Sequence, residues 1–290
     1  MSTRTFARIS LLTLAALLVL LSGVASGYAQ TNTPMVQQAE NPVGASDQRK
    51  PTVRLPTIVL VHGGWDNSTG WNAVVEGLQQ RGYPVIAPAN PLRELASDAA
   101  YVSSILDTIA GPVVLVGHSY GGAVITNAAV GHSNVKALVY IAGFAPDEGE
   151  SLVQLVTMNP GSEIGPSTLI TRPYPLAGGG EGIDLYLTRE GVRTAFAADV
   201  PRQVADQMYA TQRPFSQAAF ESVSGTPAWK TIPSWYLVAS EDHAIPPATQ
   251  RFMAERAGAQ TSEVRSSHVP QISRPDDTLR VILKAADSVS

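Results

Sequence analysis

The pentapeptide Gly117-His118-Ser119-Tyr120-Gly121 constrains this chain more than any other segment. It follows directly on the apolar run Pro112-Val113-Val114-Leu115-Val116 and leads into Ala123-Val124-Ile125-Thr126-Asn127-Ala128-Ala129. A β-branched run of that length reads as a buried strand, and the segment after it as the start of a packed helix. A G-x-S-x-G between strand and helix is the signature of a nucleophile elbow. There the serine takes a strained backbone position, and small flanking residues let strand and helix approach closely. Gly117 and Gly121 supply that room, so the Ser119 hydroxyl would stand clear of the sheet where a histidine can take its proton. The N–H of Tyr120 would point to where an oxyanion forms. Five residues of common types also arise by chance, so the reading depends on partners elsewhere in the required order.

The flanking segments have the alternation such an elbow needs. Residues 57–61, Thr-Ile-Val-Leu-Val, read as a buried strand running into His62-Gly63-Gly64-Trp65. A helix is expected over about 71–81 with Gly82 as its cap, a short strand at 84–88, and a helix over 97–109. After the elbow come a strand at 137–142, another at 234–239, a helix over 247–257, a strand near 261–265 and a closing helix over 275–286. Strands alternating with helices predict an α/β domain over 55–290, with a mostly parallel central sheet flanked by helices. Between about 146 and 230 the rhythm breaks. That stretch holds many prolines and glycines, including Gly178-Gly179-Gly180, and aromatic residues such as Tyr174, Phe196, Phe215 and Trp229. An irregular insertion of this size is expected to form a cap over the site.

The first residues differ in kind. Arg4 and Arg8 precede an apolar stretch from Ile9 to Leu21, which small residues follow up to Ala29. That order describes a secretory signal peptide over 1–29, cleaved after Ala29; a retained thin anchor is the alternative. Residues 30–54, rich in Gln, Asn, Thr and Pro, read as a flexible leader. The chain has no cysteine, which excludes a disulfide framework and fits a bacterial periplasmic or secreted protein. Loss of Arg4 and Arg8 takes the formal charge from -4 to -6, a balance that argues against nucleic acid as a partner. No stable membrane association is expected once the signal is removed.

An activated serine needs a base, and the base needs a group that holds its tautomer. Of the five histidines, His268 alone follows the last expected strand and precedes the last helix, in a loop at the carboxyl edge of the sheet. It is the candidate general base. The acid should follow the strand ending at Ala239, where Glu241 and Asp242 both qualify; Asp147 holds a weaker alternate position. The second oxyanion donor needs an N–H aimed at the substrate oxygen with no side chain in the way. That makes Gly64 the natural partner of Tyr120, or Trp65 if the loop is shifted by one. There is no H-E-x-x-H, no cysteine-histidine cluster and no G-x-G-x-x-G after a strand, so neither a metal nor a cofactor is expected.

From Thr57 onward the chain resembles the α/β-hydrolase superfamily, and more narrowly the branch with plant methylesterases and hydroxynitrile lyases. The resemblance rests on His62-Gly63-Gly64, the elbow, Ala142-Gly143-Phe144-Ala145-Pro146-Asp147, Ser240-Glu241-Asp242-His243-Ala244-Ile245-Pro246 and Ser267-His268. It implies an α/β-hydrolase fold with Ser119 as nucleophile, Asp242 and His268 as its partners, and Gly64 and Tyr120 as oxyanion donors. The chemistry of these residues leads to the expectation of a serine carboxylesterase working through an acyl-enzyme, and the aromatic, weakly charged cap suggests small to medium apolar esters. A hydroxynitrile-lyase-like reaction, or hydrolysis of lactones or amides, is the alternative on the same scaffold. Lyases of that branch bind the cyano group with a lysine, and neither Lys136 nor Lys230 lies in a segment that can be placed at the pocket.

Overall fold

A computed structural model of the chain describes residues 54–289. The expected signal peptide at 1–29 and all but the last residue of the expected leader at 30–54 lie outside the described residues. Six strands form one sheet: β1 (Thr57–Val61), β2 (Val85–Ile86), β3 (Val113–His118), β4 (Val135–Ile141), then β8 (Ser234–Ala239) and β9 (Gln260–Val264) after an intervening segment. Their order is β2-β1-β3-β4-β8-β9, and each neighbouring pair is parallel. β1, β3 and β8 are buried along their whole length, as the unbroken apolar runs require of strands covered on both faces.

Residues two apart along a strand point to the same face, so each strand feeds two cores. Val59, Val61, Leu115, Leu138, Tyr140, Tyr236 and Val238 pack on one side, with residues of α2 (Leu95–Leu106), α3 (Tyr120–Ala128) and α8 (Pro247–Arg256). Ile58, Leu60, Val114, Val116, Val139 and Leu237 pack on the other, with α1 (Asn72–Gln79) and α10 (Pro275–Asp287). The chain leaves β1 toward β2 and then crosses back to β3, so the order reverses between β1 and β3. A crevice opens at such a switch point outside the carboxyl ends of the strands, where α/β ligands bind.

Between β4 and β8 the structure is more regular than the composition predicts. The segment holds α4 (Leu152–Thr157), a hairpin of β5 (Leu169–Pro175) and β6 (Glu181–Leu187), and the single turn α5 (Arg189–Gly191). A wide turn over Val192–Phe196, α6 (Arg202–Thr211), β7 (Phe215–Ser216) and α7 (Gln217–Glu221) follow. The three strands form an antiparallel sheet in the order β5-β6-β7. β5 holds Pro173 and Pro175 and lies at the edge of the sheet, where a strand tolerates missing N–H donors. The glycine run makes the hairpin turn, with Gly179 and Gly180 at φ of 89° and 87°, values that side-chain-bearing residues avoid. A short helix, α9 (Pro270–Ser273), completes the chain between β9 and α10.

Candidate active site

Because the strands are parallel, the segments leaving β1, β3, β8 and β9 gather at one edge. Ser119 leaves β3 with φ 52° and ψ -124°, a strained conformation for a residue with a side chain. The two flanking glycines are there for contact. A Cβ on Gly117 would lie 2.5 Å from the Gly121 carbonyl oxygen, and one on Gly121 would collide with the Val61 carbonyl oxygen of β1. The Gly122 N–H and the Phe144 N–H both donate to the Ser119 carbonyl, at 2.9 and 3.0 Å, so the strained residue is held from two sides.

Asp242 follows β8 and is almost fully buried. Its Oδ1 accepts the Ala244 and Ile245 N–H groups at 2.7 and 2.9 Å. Its Oδ2 accepts the Gln250 Nε2–H at 2.7 Å and stands 2.7 Å from His268 Nδ1. With donors already on both oxygens, the carboxylate is an acceptor, and the proton of that last bond sits on His268 Nδ1. This leaves His268 Nε2 as a lone-pair nitrogen, the tautomer that can take a proton. His268 and Ser119 line one narrow cavity, with Gly64, Trp65 and Tyr120 also in its wall.

The loop after β1 carries both oxyanion candidates. The Gly64 N–H has no acceptor among the described residues. Tyr120 is the first residue of α3, so its N–H has no partner within the helix. Trp65 sits at φ 59°, and its indole N–H donates to the Leu185 carbonyl of β6 at 3.0 Å. Gly64 has a further reason to lack a side chain, because a Cβ there would lie 2.8 Å from the Phe215 ring. Phe215 and Phe220 of the inserted segment line the Ser119 cavity, together with Leu152, Val156, Ile164 and Phe144, and its wall is mostly apolar.

The remaining candidates sit elsewhere. Glu241 pairs with Arg265 at 2.7 Å on the exposed surface, and Asp147 pairs with Lys230 at 2.6 Å, which holds its carboxyl below the usual range. His243 pairs with Glu163, and His132 is bonded to Ser103. His62 donates from Nδ1 to the Gly63 carbonyl at 2.9 Å, and burial brings it down to about 4, so it is neutral.

Three supports had gone unnoticed in the sequence. His118, inside the elbow motif, is fully buried, and burial holds it well below the usual histidine range. Its Nε2–H donates to the His268 carbonyl at 2.8 Å and its ring lies 4.9 Å from that of His268. Gln250 on α8 ties Asp242 to the end of β8 by accepting the Ala239 N–H at 3.0 Å. The Tyr120 hydroxyl donates to Asp98 Oδ2 at 2.7 Å; Asp98 also takes the Arg93 N–H, and burial raises its carboxyl. Glutamine and aspartate on amphipathic helices carry no pattern that separates such inward supports from solvated polar residues.

Comparison with known proteins adds an independent line. The model of the alpha/beta hydrolase family matches residues 58–281. A pyrethroid hydrolase from Sphingobium wenxiniae is 27% identical over 261 residues, 80% of this chain and 88% of that protein. An alpha/beta hydrolase from Aspergillus novofumigatus is 26% identical over 252 residues, 80% and 96% of the two chains. Among solved structures, polyneuridine aldehyde esterase superposes with a TM-score of 0.66 at 18% identity, covering 80% of this chain and all of that one, a likeness of fold alone.

Proposed function

This chain belongs to the alpha/beta hydrolase family, and on that premise we propose that it is a serine carboxylesterase acting on small to medium apolar esters. The observation that carries the reading is the buried Asp242–His268 bond of 2.7 Å beside a serine held at positive φ. In this account Ser119 Oγ attacks the ester carbonyl while His268 Nε2 takes its proton. The carbonyl electron pair moves onto the oxygen, which the Tyr120 and Gly64 N–H groups stabilise; Trp65 is the alternative donor. Collapse expels the alcohol, which takes the proton from His268, and leaves an acyl-enzyme. Water then adds to the acyl carbonyl, giving its proton to His268, and the acid departs as the proton returns to Ser119. Asp242 holds the imidazole tautomer throughout and offsets its charge.

The apolar wall of Phe144, Leu152, Val156, Ile164, Phe215 and Phe220 suits an aliphatic or aromatic acyl group bound by burial. The named relatives support ester hydrolysis as the reaction, through the pyrethroid hydrolase and a carbendazim hydrolyzing esterase from a Nocardioides strain. No lysine lines the Ser119 cavity among the described residues, so the lyase reading lacks the cation it needs. Export by a cleaved signal over 1–29 belongs to the same proposal, on the composition of that segment. Release of p-nitrophenol from p-nitrophenyl butyrate tests the reaction: kcat should fall at least a thousandfold in Ser119→Ala, and equal turnover by both proteins would reject it.

A further inference from the structure

A second, larger cleft of about 300 Å³ adjoins the Ser119 cavity, and the mechanism above makes no use of it. Trp65 lines both spaces. Phe196, whose ring lies 5.0 Å from that of His268, lines the cleft, as does Gln271, three residues beyond His268. In acyl transfer the departing alcohol must present its oxygen to the histidine that protonates it. The cleft built from residues around His268 is therefore placed to receive the alcohol, and the apolar cavity to receive the acyl group.

Two buried acceptors in this cleft lack donors to match. Asp66 is 6% exposed; its Oδ1 accepts the Asn67 N–H at 2.8 Å, while its Oδ2 receives only a long 3.4 Å contact from Gln271 Nε2. Gln271 is fully buried, and its Oε1 has no hydrogen-bond partner among the described residues. Asp66 is the only acidic or basic side chain among the described residues lining the cleft. Burial pushes its carboxyl up to about 6, which still leaves it ionised at neutral pH. A buried carboxylate with no lysine or arginine in the cleft wall is costly, and a buried carbonyl oxygen with no donor adds to that cost. Leu187, Val192, Val204 and Met208 supply apolar wall to the same cleft, which suits a hydrocarbon spacer.

We propose that this cleft binds the alcohol portion of the ester, and that Asp66 and the Gln271 Oε1 together recognise a protonated amine carried on it. The proposal rests on the reading of Ser119 and His268 given above. A cationic N–H group would provide the charge that Asp66 lacks and the donor that Gln271 lacks.

The test compares butyrate esters that differ only in one atom of the alcohol: 2-(dimethylamino)ethyl against 3-methylbutyl, and 4-(dimethylamino)butyl against 5-methylhexyl. At pH 7.5 the ratio of kcat/KM, amine over carbon isostere, should exceed about ten for at least one spacer. It should fall at least tenfold in Asp66→Asn and several-fold in Gln271→Met. The ratio is internally controlled, because His268, the titratable neighbour whose charge bears on Asp66, acts on both esters alike. If a variant does not fold, the wild-type ratio alone decides: it should drop as pH falls through about 6 and Asp66 is protonated, while the amine stays charged. A ratio near one for both spacers, or a ratio unchanged in both variants or by pH, overturns the amine site. If turnover survives Ser119→Ala, it is the underlying mechanism that has failed.

Discussion

Asp66 offers a prediction whose size follows from its surroundings. Its carboxyl is buried with no lysine or arginine in the cleft wall, and burial, outweighing the Asn67 N–H, Gln271 and His268, raises it from the ordinary 3.8 to about 6. An acid whose folded value is raised binds its proton more tightly in the native state. Its full contribution to stability is therefore present below 3.8 and is lost progressively as pH rises through about 6. The full loss above that point is on the order of 3 kcal/mol, of which about 2 kcal/mol develops between pH 4.5 and 7.5. Asp66→Asn keeps the oxygen that accepts the Asn67 N–H and removes the charge. Unfolding by urea, measured on wild type and variant at both pH values, should show the variant gaining about 2 kcal/mol relative to wild type at the higher pH. In thermal scans that gain is a rise of roughly 4–8 °C in relative Tm for a domain of this size. A stability difference between the two proteins that is the same at both pH values within about 0.5 kcal/mol would refute the burial argument, and with it the physical basis of the amine site.

Two further substitutions probe the supports of the site. Gln250→Met removes the donor to Asp242 Oδ2 and the acceptor for the Ala239 N–H, each buried. Loss of charge-assisted bonds of this kind costs about 1.5–3 kcal/mol, so kcat on p-nitrophenyl butyrate should fall roughly tenfold to a hundredfold with little change in KM. Gly64→Ala drives a methyl group into the Phe215 ring and should cost about 1–3 kcal/mol of stability. Phe215→Ala in the same chain should relieve that cost, which a double-mutant cycle in urea reads as non-additivity above about 1 kcal/mol.

Much of this architecture was legible because core strands announce themselves. The run 57–61, the elbow strand and 234–239 are continuous apolar segments bounded by turn residues, and β8 spans Ser234–Ala239 as expected. Ser119, Asp242 and His268 were legible for a topological reason: in a parallel sheet, loops after successive strands meet at one edge, so order along the chain becomes proximity in space. The inserted segment was less legible. β5 and β6 form a sheet apart from the elbow strand, and β5 holds prolines at its edge, so pairing within a local hairpin, not an unbroken apolar run, decides their conformation. The supports were least legible of all. His118, Gln250 and Asp98 act through hydrogen bonds to residues 150, 8 and 22 positions away, and no periodicity encodes those. The under-satisfied acceptors of the second cleft belong to the same class, since only packing brings Asp66 and Gln271, 205 positions apart, to one wall.

The central claim is that Ser119 is the nucleophile and that the Asp242–His268 pair activates it. Intact-mass and peptide mass spectrometry after treatment with a fluorophosphonate tests this most directly. The account predicts one phosphonyl adduct per chain, on the peptide bearing Ser119, formed rapidly in the wild type. Labelling should be slowed at least a thousandfold in His268→Ala and be absent in Ser119→Ala. An adduct on another residue such as Ser267, or labelling of Ser119 at the same rate without His268, would contradict it.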